Sequence, residues 1–290
     1  MYAAPFEYHA PSTVAEALGL LAKLGDEAKV VSGSMSLVPM MKLRLATPAH
    51  LVDLRKVPGL SGVNESGGAL TFGAMTTHAA IGANALVKQR LPMMAEAAVQ
   101  IGDAQVRNRG TIGGSLAHAD PAADWPAVLI ALDASVRIGS ARGERTLKAA
   151  DFIVGPLTTA LQPGELLLSV SVPLPSGRYG GAYEKLPHPA SRFAVVGVAA
   201  EVFLDAKGAV ENSRIAVTGL GSKATRAGYV EQALKGKSPD AAAVKAAAAR
   251  AAEGIEVRAD LMGSAAYKAN LAAVYTERAV ARAVGRAKER

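Results

Sequence analysis

Apolar residues fall into three successive patterns along the chain, and each predicts a different kind of unit. Between Ser12 and Leu21 the apolar positions Val14, Ala17, Leu18 and Leu21 recur at helical spacing. Ser12 sits where an N-cap belongs and Glu16 falls in the first turns, so a helix is predicted to begin there. The β-branched run Lys29-Val30-Val31 predicts a strand over 28–32, which empties into Ser32-Gly33-Ser34-Met35-Ser36-Leu37. Met40 to Leu45 and Leu51 to Leu54 continue this first stretch, 1–56, as a small α/β unit. In 57–177 the pattern changes. Ala69 to Ala74 and Leu166 to Val172 read as strands, the second stopped by Pro173, and Ser135 to Ile138 alternate like a third. Thr76 to Ile81 is a hydroxyl-rich entry to a short helix, Leu91 to Ala98 a second helix, and Val128 to Leu132 suits helix or strand equally. That mixture is an α+β unit on mostly antiparallel strands. After the break at Pro173, Pro175 and Gly177, the region 178–290 opens with antiparallel strands over Phe193–Phe203 and Arg214–Thr218, joined at Asp205–Gly208. From Ala224 on it turns helical, most strongly over Ala241–Ala252. No internal repeat is visible.

Composition narrows the classes. Half of the 290 residues are hydrophobic, enough for a large core, yet no run approaches the roughly 18 apolar residues of a membrane span. Met1 to Phe6 lack a basic region and an apolar region, so no signal peptide is expected. There is no cysteine, hence no disulfide, no thiolate nucleophile and no cysteine-ligated cluster, which suits a reducing compartment. The net charge is +7, but only 4% of residues are aromatic, so the charge favours anionic ligands or an acidic partner over nucleic acid. Arg278, Arg282, Arg286 and Arg290 recur every four residues and form one stripe on the last helix, either a solvated helix end or a docking face for an acidic partner.

Candidate chemistry concentrates in two glycine loops. Arg109-Gly110-Thr111-Ile112-Gly113-Gly114-Ser115 sets adjacent glycines beside hydroxyls and is followed by Ala117, Asp120 and Asp124. Free N–H groups and hydroxyls in such a turn make a nest for phosphate oxygens, and paired glycines let a ligand approach the main chain. The carboxylates repel phosphate and suit a ribose hydroxyl or an adenine amino group instead, or an acid/base pair. With the Ser32–Leu37 loop, two phosphates of one dinucleotide are within reach from opposite sides. Neither loop is GxGxxG opening a Rossmann helix nor GxxxxGK[ST]. His9, His50, His78, His118 and His188 are scattered, with no HExxH pair, and no metal site is expected. No GxSxG elbow is present. A phosphate-binding chain with little chemistry of its own is what a cofactor-carried reaction requires.

Ser32 to Leu37, Arg109 to Asp124, Glu165-Leu166-Leu167-Leu168-Ser169 and Tyr183-Glu184-Lys185 stand in one family's order and spacing. Across essentially its whole length the chain resembles the FAD-binding medium subunit of molybdenum hydroxylases, the carbon monoxide dehydrogenase and xanthine dehydrogenase group. The resemblance implies a two-subdomain FAD-binding domain of the PCMH/VAO-like kind, residues 1–177, and a C-terminal domain, 178–290, of a small antiparallel sheet plus helices. It implies FAD between the first two subdomains, its pyrophosphate held by Ser32–Leu37 and Thr111–Ser115 and its adenosine end by Asp124. Further contacts are expected from Lys29, Val30, Val31, Thr77, Ile101, Val106, Gly110, Ala117, Asp120, Leu167 and Lys185, and from Phe193, which either stacks on the flavin or sits in the core. Within the first loop, Ser32, Gly33, Ser34, Met35, Ser36 and Leu37 are all expected contacts, as are Thr111, Ile112, Gly113, Gly114 and Ser115 in the second. Ser34 departs from the family's usual second glycine; xanthine dehydrogenases also carry a polar residue there, so binding is expected to persist with an added hydroxyl contact. The implied partners are a [2Fe-2S] small subunit that supplies electrons and a molybdopterin-binding large subunit, in a cytoplasmic dimer of heterotrimers. The flavin would pass those electrons to an external acceptor. A stand-alone FAD reductase of the same superfamily and a non-redox nucleotide-binding module remain open alternatives.

Overall fold

The computed structural model describes residues 2–290, so Met1 lies outside it. In the first unit β1 (Glu7–His9) is followed by α1 (Val14–Leu24), β2 (Ala28–Val31), α2 (Leu37–Lys42) and β3 (His50–Asp53). The three strands form a parallel sheet in the order β1-β3-β2. Thr13, one residue later than expected, caps α1 by accepting from the Glu16 amide at 3.1 Å. Ser12 still contributes: its amide and hydroxyl both donate to the Glu16 carboxylate, so the cap is reciprocal. Ala17, Leu18 and Leu21 are the buried face of α1, as their spacing predicts.

The second unit comprises β4 (Val63–Ser66), β5 (Ala69–Gly73), α3 (His78–Ala83), α4 (Ala85–Arg90), α5 (Pro92–Gln100), α6 (Ala104–Arg109), α7 (Ile112–His118) and α8 (Asp124–Ala131). Then come β6 (Ser135–Ser140), β7 (Gly143–Lys148), α9 (Ala149–Phe152), β8 (Ile153–Gly155), β9 (Thr158–Thr159) and β10 (Leu166–Pro173). Five strands make one antiparallel sheet in the order β4-β5-β10-β6-β7. The ambiguous run at Val128 is helix: every residue of α8 is buried, so the segment is apolar all round and shows no period. Strand β10 joins two cores. Leu166 and Leu168 pack with Leu18 and Val52 of the first unit and with Leu60, whereas Leu167, Val170 and Val172 pack with Phe72, Trp125 and Ile138.

The third unit pairs β11 (Arg178–Pro187), β12 (Ala194–Leu204), β13 (Val210–Thr218) and β14 (Thr225–Arg226) as an antiparallel sheet in chain order. It is backed by α10 (Gly228–Leu234), α11 (Ala241–Ala248) and the long α12 (Ala265–Lys288). The alanine run stops being helix at Ala248, four residues short of its expected end, and continues as turns. Helix α12 lies so close on β11 that a Cβ at Gly180 would overlap the Ala283 carbonyl oxygen. The arginine stripe is spent inside the molecule. Arg282 bonds Glu184 at 2.6 Å and Glu96 of α5 at 2.9 Å. Arg286 pairs with Glu96 and donates to the Gly181 carbonyl at 2.5 Å, while Arg278 and Arg290 stack on Tyr275 and Tyr179. Neither expected reading holds for Arg282 and Arg286, because the stripe ties the C-terminal helix to the second unit.

Candidate cofactor-binding site

A cavity of about 580 Å³ opens between the first two units, within the size range of small-molecule and cofactor sites. Its floor is the meeting of the two glycine loops. The Ser32 and Thr111 hydroxyls are 2.6 Å apart, and a Cβ on Gly33 would overlap the Arg109 carbonyl oxygen and meet Gly110 Cα at 2.6 Å. Only glycine at position 33 lets the two backbones touch.

The second loop is not the open turn expected from its sequence. Gly113 and Gly114 lie in the first turn of α7, with Thr111 as N-cap, and neither adopts positive φ. Its amides are already engaged: Ile112 donates to Thr76 O, Gly113 to Ala74 O, and Gly114 to Thr111 Oγ1 at 3.0 Å. The glycines serve packing. A Cβ on Gly113 would stand 2.6 Å from Ala74 O, and one on Gly114 would stand 2.8 Å from Thr111 Oγ1. The open donors are in the first loop. Among the described residues no acceptor takes the amides of Gly33, Ser34, Met35 or Ser36. The buried Ser34 hydroxyl also has no partner, and Ser34 sits at φ +61°, a conformation that favours glycine. An unpaired buried hydroxyl is costly, and the open amides of the same loop stand beside it on the cavity wall, so the loop suits a ligand rich in acceptors. A pyrophosphate is such a ligand, and these residues fit FAD.

Most expected contact residues reach the cavity. Lys29, Val30 and all of Ser32 to Leu37 line it, as do Ile101, Val106, Gly110, Thr111, Gly113, Gly114, Ser115, Ala117, Asp120, Asp124, Leu167 and Phe193. Val31, Thr77, Ile112 and Lys185 stand outside its wall. The Thr77 hydroxyl caps α3 instead, accepting from Ala80, and Ile112 is wholly buried in the core. Phe193 is 39% exposed, which removes the plain core reading. Lys42 and Arg44 are exposed and do not line the cavity.

Asp124 is more deeply engaged than a ligand-facing carboxylate alone. Its Oδ1 accepts from Tyr183 at 2.5 Å and from Lys185 Nζ at 2.9 Å, both from β11. Lys185 also donates to the Arg192 carbonyl at 2.8 Å, which anchors the turn that carries Phe193. Burial pushes the Asp124 carboxyl up, against the pull of the Lys185 charge and the Tyr183 hydroxyl. Burial and then the Asp124 charge drive the Tyr183 hydroxyl far above its ordinary range, so it stays a donor. The side chain caps nothing: the cap position of α8 is Ala123.

His78 is a wall residue that sequence reasoning passed over. Its Nδ1 accepts from the Trp125 indole N–H at 3.0 Å. Because indole only donates, the ring is neutral with its proton on Nε2. Burial, with a smaller contribution from the Arg107 charge, lowers its pKa to about 4. The spacing of Trp125 and His78 carries no sign of this pairing.

Comparison with known proteins agrees over the full length. Residues 4–175 match the FAD binding domain in molybdopterin dehydrogenase, and 181–283 match the CO dehydrogenase flavoprotein C-terminal domain. The chain is 42% identical to the carbon monoxide dehydrogenase medium chain of Hydrogenophaga pseudoflava over 275 residues, 95% of this chain and 96% of that one. It is 40% identical to subunit alpha of the 6-hydroxypseudooxynicotine dehydrogenase complex of Paenarthrobacter nicotinovorans over 284 residues, 98% and 96% of the two. A solved carbon monoxide dehydrogenase from Hydrogenophaga pseudoflava superposes with a TM-score of 0.95 at 42% identity, covering 99% of each chain. With the family matched in both domains, this chain belongs to the FAD-binding medium subunits of molybdenum hydroxylase complexes, the carbon monoxide dehydrogenase and xanthine dehydrogenase group.

Proposed function

We propose that the first loop is the principal pyrophosphate cradle for FAD and that the second loop is its rigid backing. The unpartnered Ser34 hydroxyl beside four unpaired amides carries this reading. When bound, FAD supplies the redox chemistry that no side chain here can perform, accepting electrons from a [2Fe-2S] small subunit and releasing them to an external acceptor. The chain's own residues bind, orient and shield. Gly33 to Ser36 offer donors to phosphate oxygens, and Ser115 adds a hydroxyl from the opposite wall. Asp120 and Asp124 take the adenosine end, where carboxylates accept from hydroxyl and amino groups. Phe193 covers the cavity from the third unit, positioned through Lys185.

The same reading places the chain in a cytoplasmic dimer of heterotrimers with the [2Fe-2S] subunit and a molybdopterin-binding large subunit, which sets the substrate. Among the described residues no helix is long and apolar enough to cross a membrane. Co-purification with the two partner chains and cell fractionation test this assembly. The cofactor placement is tested by Gly114→Val. The added side chain wedges into the Ser32–Thr111 contact, where even a Cβ would stand 2.8 Å from Thr111 Oγ1. The expected protein is folded by circular dichroism and colourless. Stoichiometric flavin absorbance in that variant would overturn the placement between the loops.

A further inference from the structure

The parallel pairing of β1 with β3 brings together two histidines that lie far apart in the chain. Glu7 is in register with His50, and His9 with Val52. Alternation along a strand puts Glu7 and His9 on one face, and the register adds His50 to it. Three Lewis-basic atoms then converge. His9 Nε2 is 3.2 Å from His50 Nδ1, His50 Nδ1 is 3.3 Å from Glu7 Oε2, and Glu7 Oε2 is 4.0 Å from His9 Nε2. The point equidistant from these three atoms lies about 2.1 Å from each, the ordinary length of a zinc–nitrogen or zinc–oxygen bond. None of the three lines the flavin cavity.

Hydrogen bonding engages only two of the three groups: His9 and His50 share one bond, and Glu7 Oε2 stands 3.3 Å from His50 Nδ1 without one. A ring nitrogen holds at most one proton, so His50 Nδ1 cannot serve both neighbours. A cation at the centre serves all three atoms at once. Two imidazoles and one carboxylate select a borderline divalent ion over Ca²⁺ or Mg²⁺, which call for more oxygen ligands. The imidazoles are 25% and 16% exposed, whereas the Glu7 side chain is 74% exposed. The site is thus formed on its histidine side and open to solvent on its carboxylate side, where water completes the coordination.

We propose that Glu7, His9 and His50 bind one Zn²⁺-class divalent cation that staples β1 to β3. Strand β1 needs such support, since it is a three-residue edge strand paired on one side only. The sheet it closes also carries β2, which runs into the Ser32–Leu37 loop.

The full-length chain, free of any histidine tag and stripped with chelator, is titrated calorimetrically with zinc sulfate. One equivalent is expected to bind, with no comparable heat from Mg²⁺ or Ca²⁺. His9→Ala and His50→Ala should each weaken binding by at least about tenfold, since loss of even an outer-shell partner typically costs that much. Glu7→Gln, at an exposed position that leaves the fold alone, should also weaken it, and His188→Ala should not. Zinc should slow amide exchange across residues 7–9 in the wild type but not in His50→Ala. Sub-stoichiometric zinc, or equal affinity in wild type and His50→Ala, would overturn the site and leave a histidine–histidine hydrogen bond.

Discussion

Two polar regions of this molecule look alike in sequence and differ in how completely they are paired. Where the third unit meets the second, Asp124, Tyr183 and Lys185 satisfy one another, and Glu96 is held by Arg282 and Arg286. At the glycine-loop cavity the first loop keeps four amides and the Ser34 hydroxyl unpaired. A buried hydroxyl left unmet costs roughly 1–3 kcal/mol, and at Ser34 it faces a cavity where a ligand can meet it. Pairing, rather than residue type, separates the cluster that ties the units together from the loop left open for the pyrophosphate.

The largest expected effect is at the paired region. Asp124→Ala leaves the Lys185 ammonium buried without its counter-ion, which costs about 3–5 kcal/mol. The apoprotein should melt on the order of 10 °C lower, before any loss of FAD is considered. An Asp124→Ala apoprotein with an unchanged melting point would mean that the pair contributes nothing to the union of the two domains. A smaller effect is expected from Arg286→Ala. It removes a partly exposed charge network and one bond to the Gly181 carbonyl, so stability should fall by about 1 kcal/mol with FAD affinity unchanged. Chemical denaturation and flavin titration check the two halves. Ser34→Gly should move stability and binding in opposite directions. Relief of the positive φ and of the unmet hydroxyl leaves the apoprotein as stable or up to about 1 kcal/mol more so. Loss of one hydrogen bond to a charged phosphate weakens FAD about tenfold. Equal FAD affinity in Ser34→Gly would take the hydroxyl out of the site.

Much of this was legible in the chain. The helical spacing from Val14 to Leu21, the β-branched run into Ser32 and the proline-stopped strand at Leu166 are local signals, and each formed the element it predicts. The two loops were recognisable for the same reason, as turns rich in glycine and serine. What escaped depends on distant partners. The amides of Ile112 and Gly113 are engaged by Thr76 and Ala74, a fact of tertiary packing that makes the second loop a backing and not a nest. The arginine stripe reads as a solvated helix end or a docking face until Glu96, from a helix far earlier in the chain, pairs with Arg282 and Arg286. His9 and His50 become neighbours only through strand register. The all-round burial of α8 erased its period, so the sequence could not distinguish helix from strand there.

The central claim is that the first loop, not the second, supplies the free donors for the FAD pyrophosphate. Residue-resolved amide exchange by NMR, on the apoprotein and after FAD is restored, addresses it directly. Gly33, Ser34, Met35 and Ser36 are expected to become strongly protected on binding, while Ile112, Gly113 and Gly114, already bonded in the apoprotein, change little. Protection gained at residues 112–114 with none at 33–36 would contradict it.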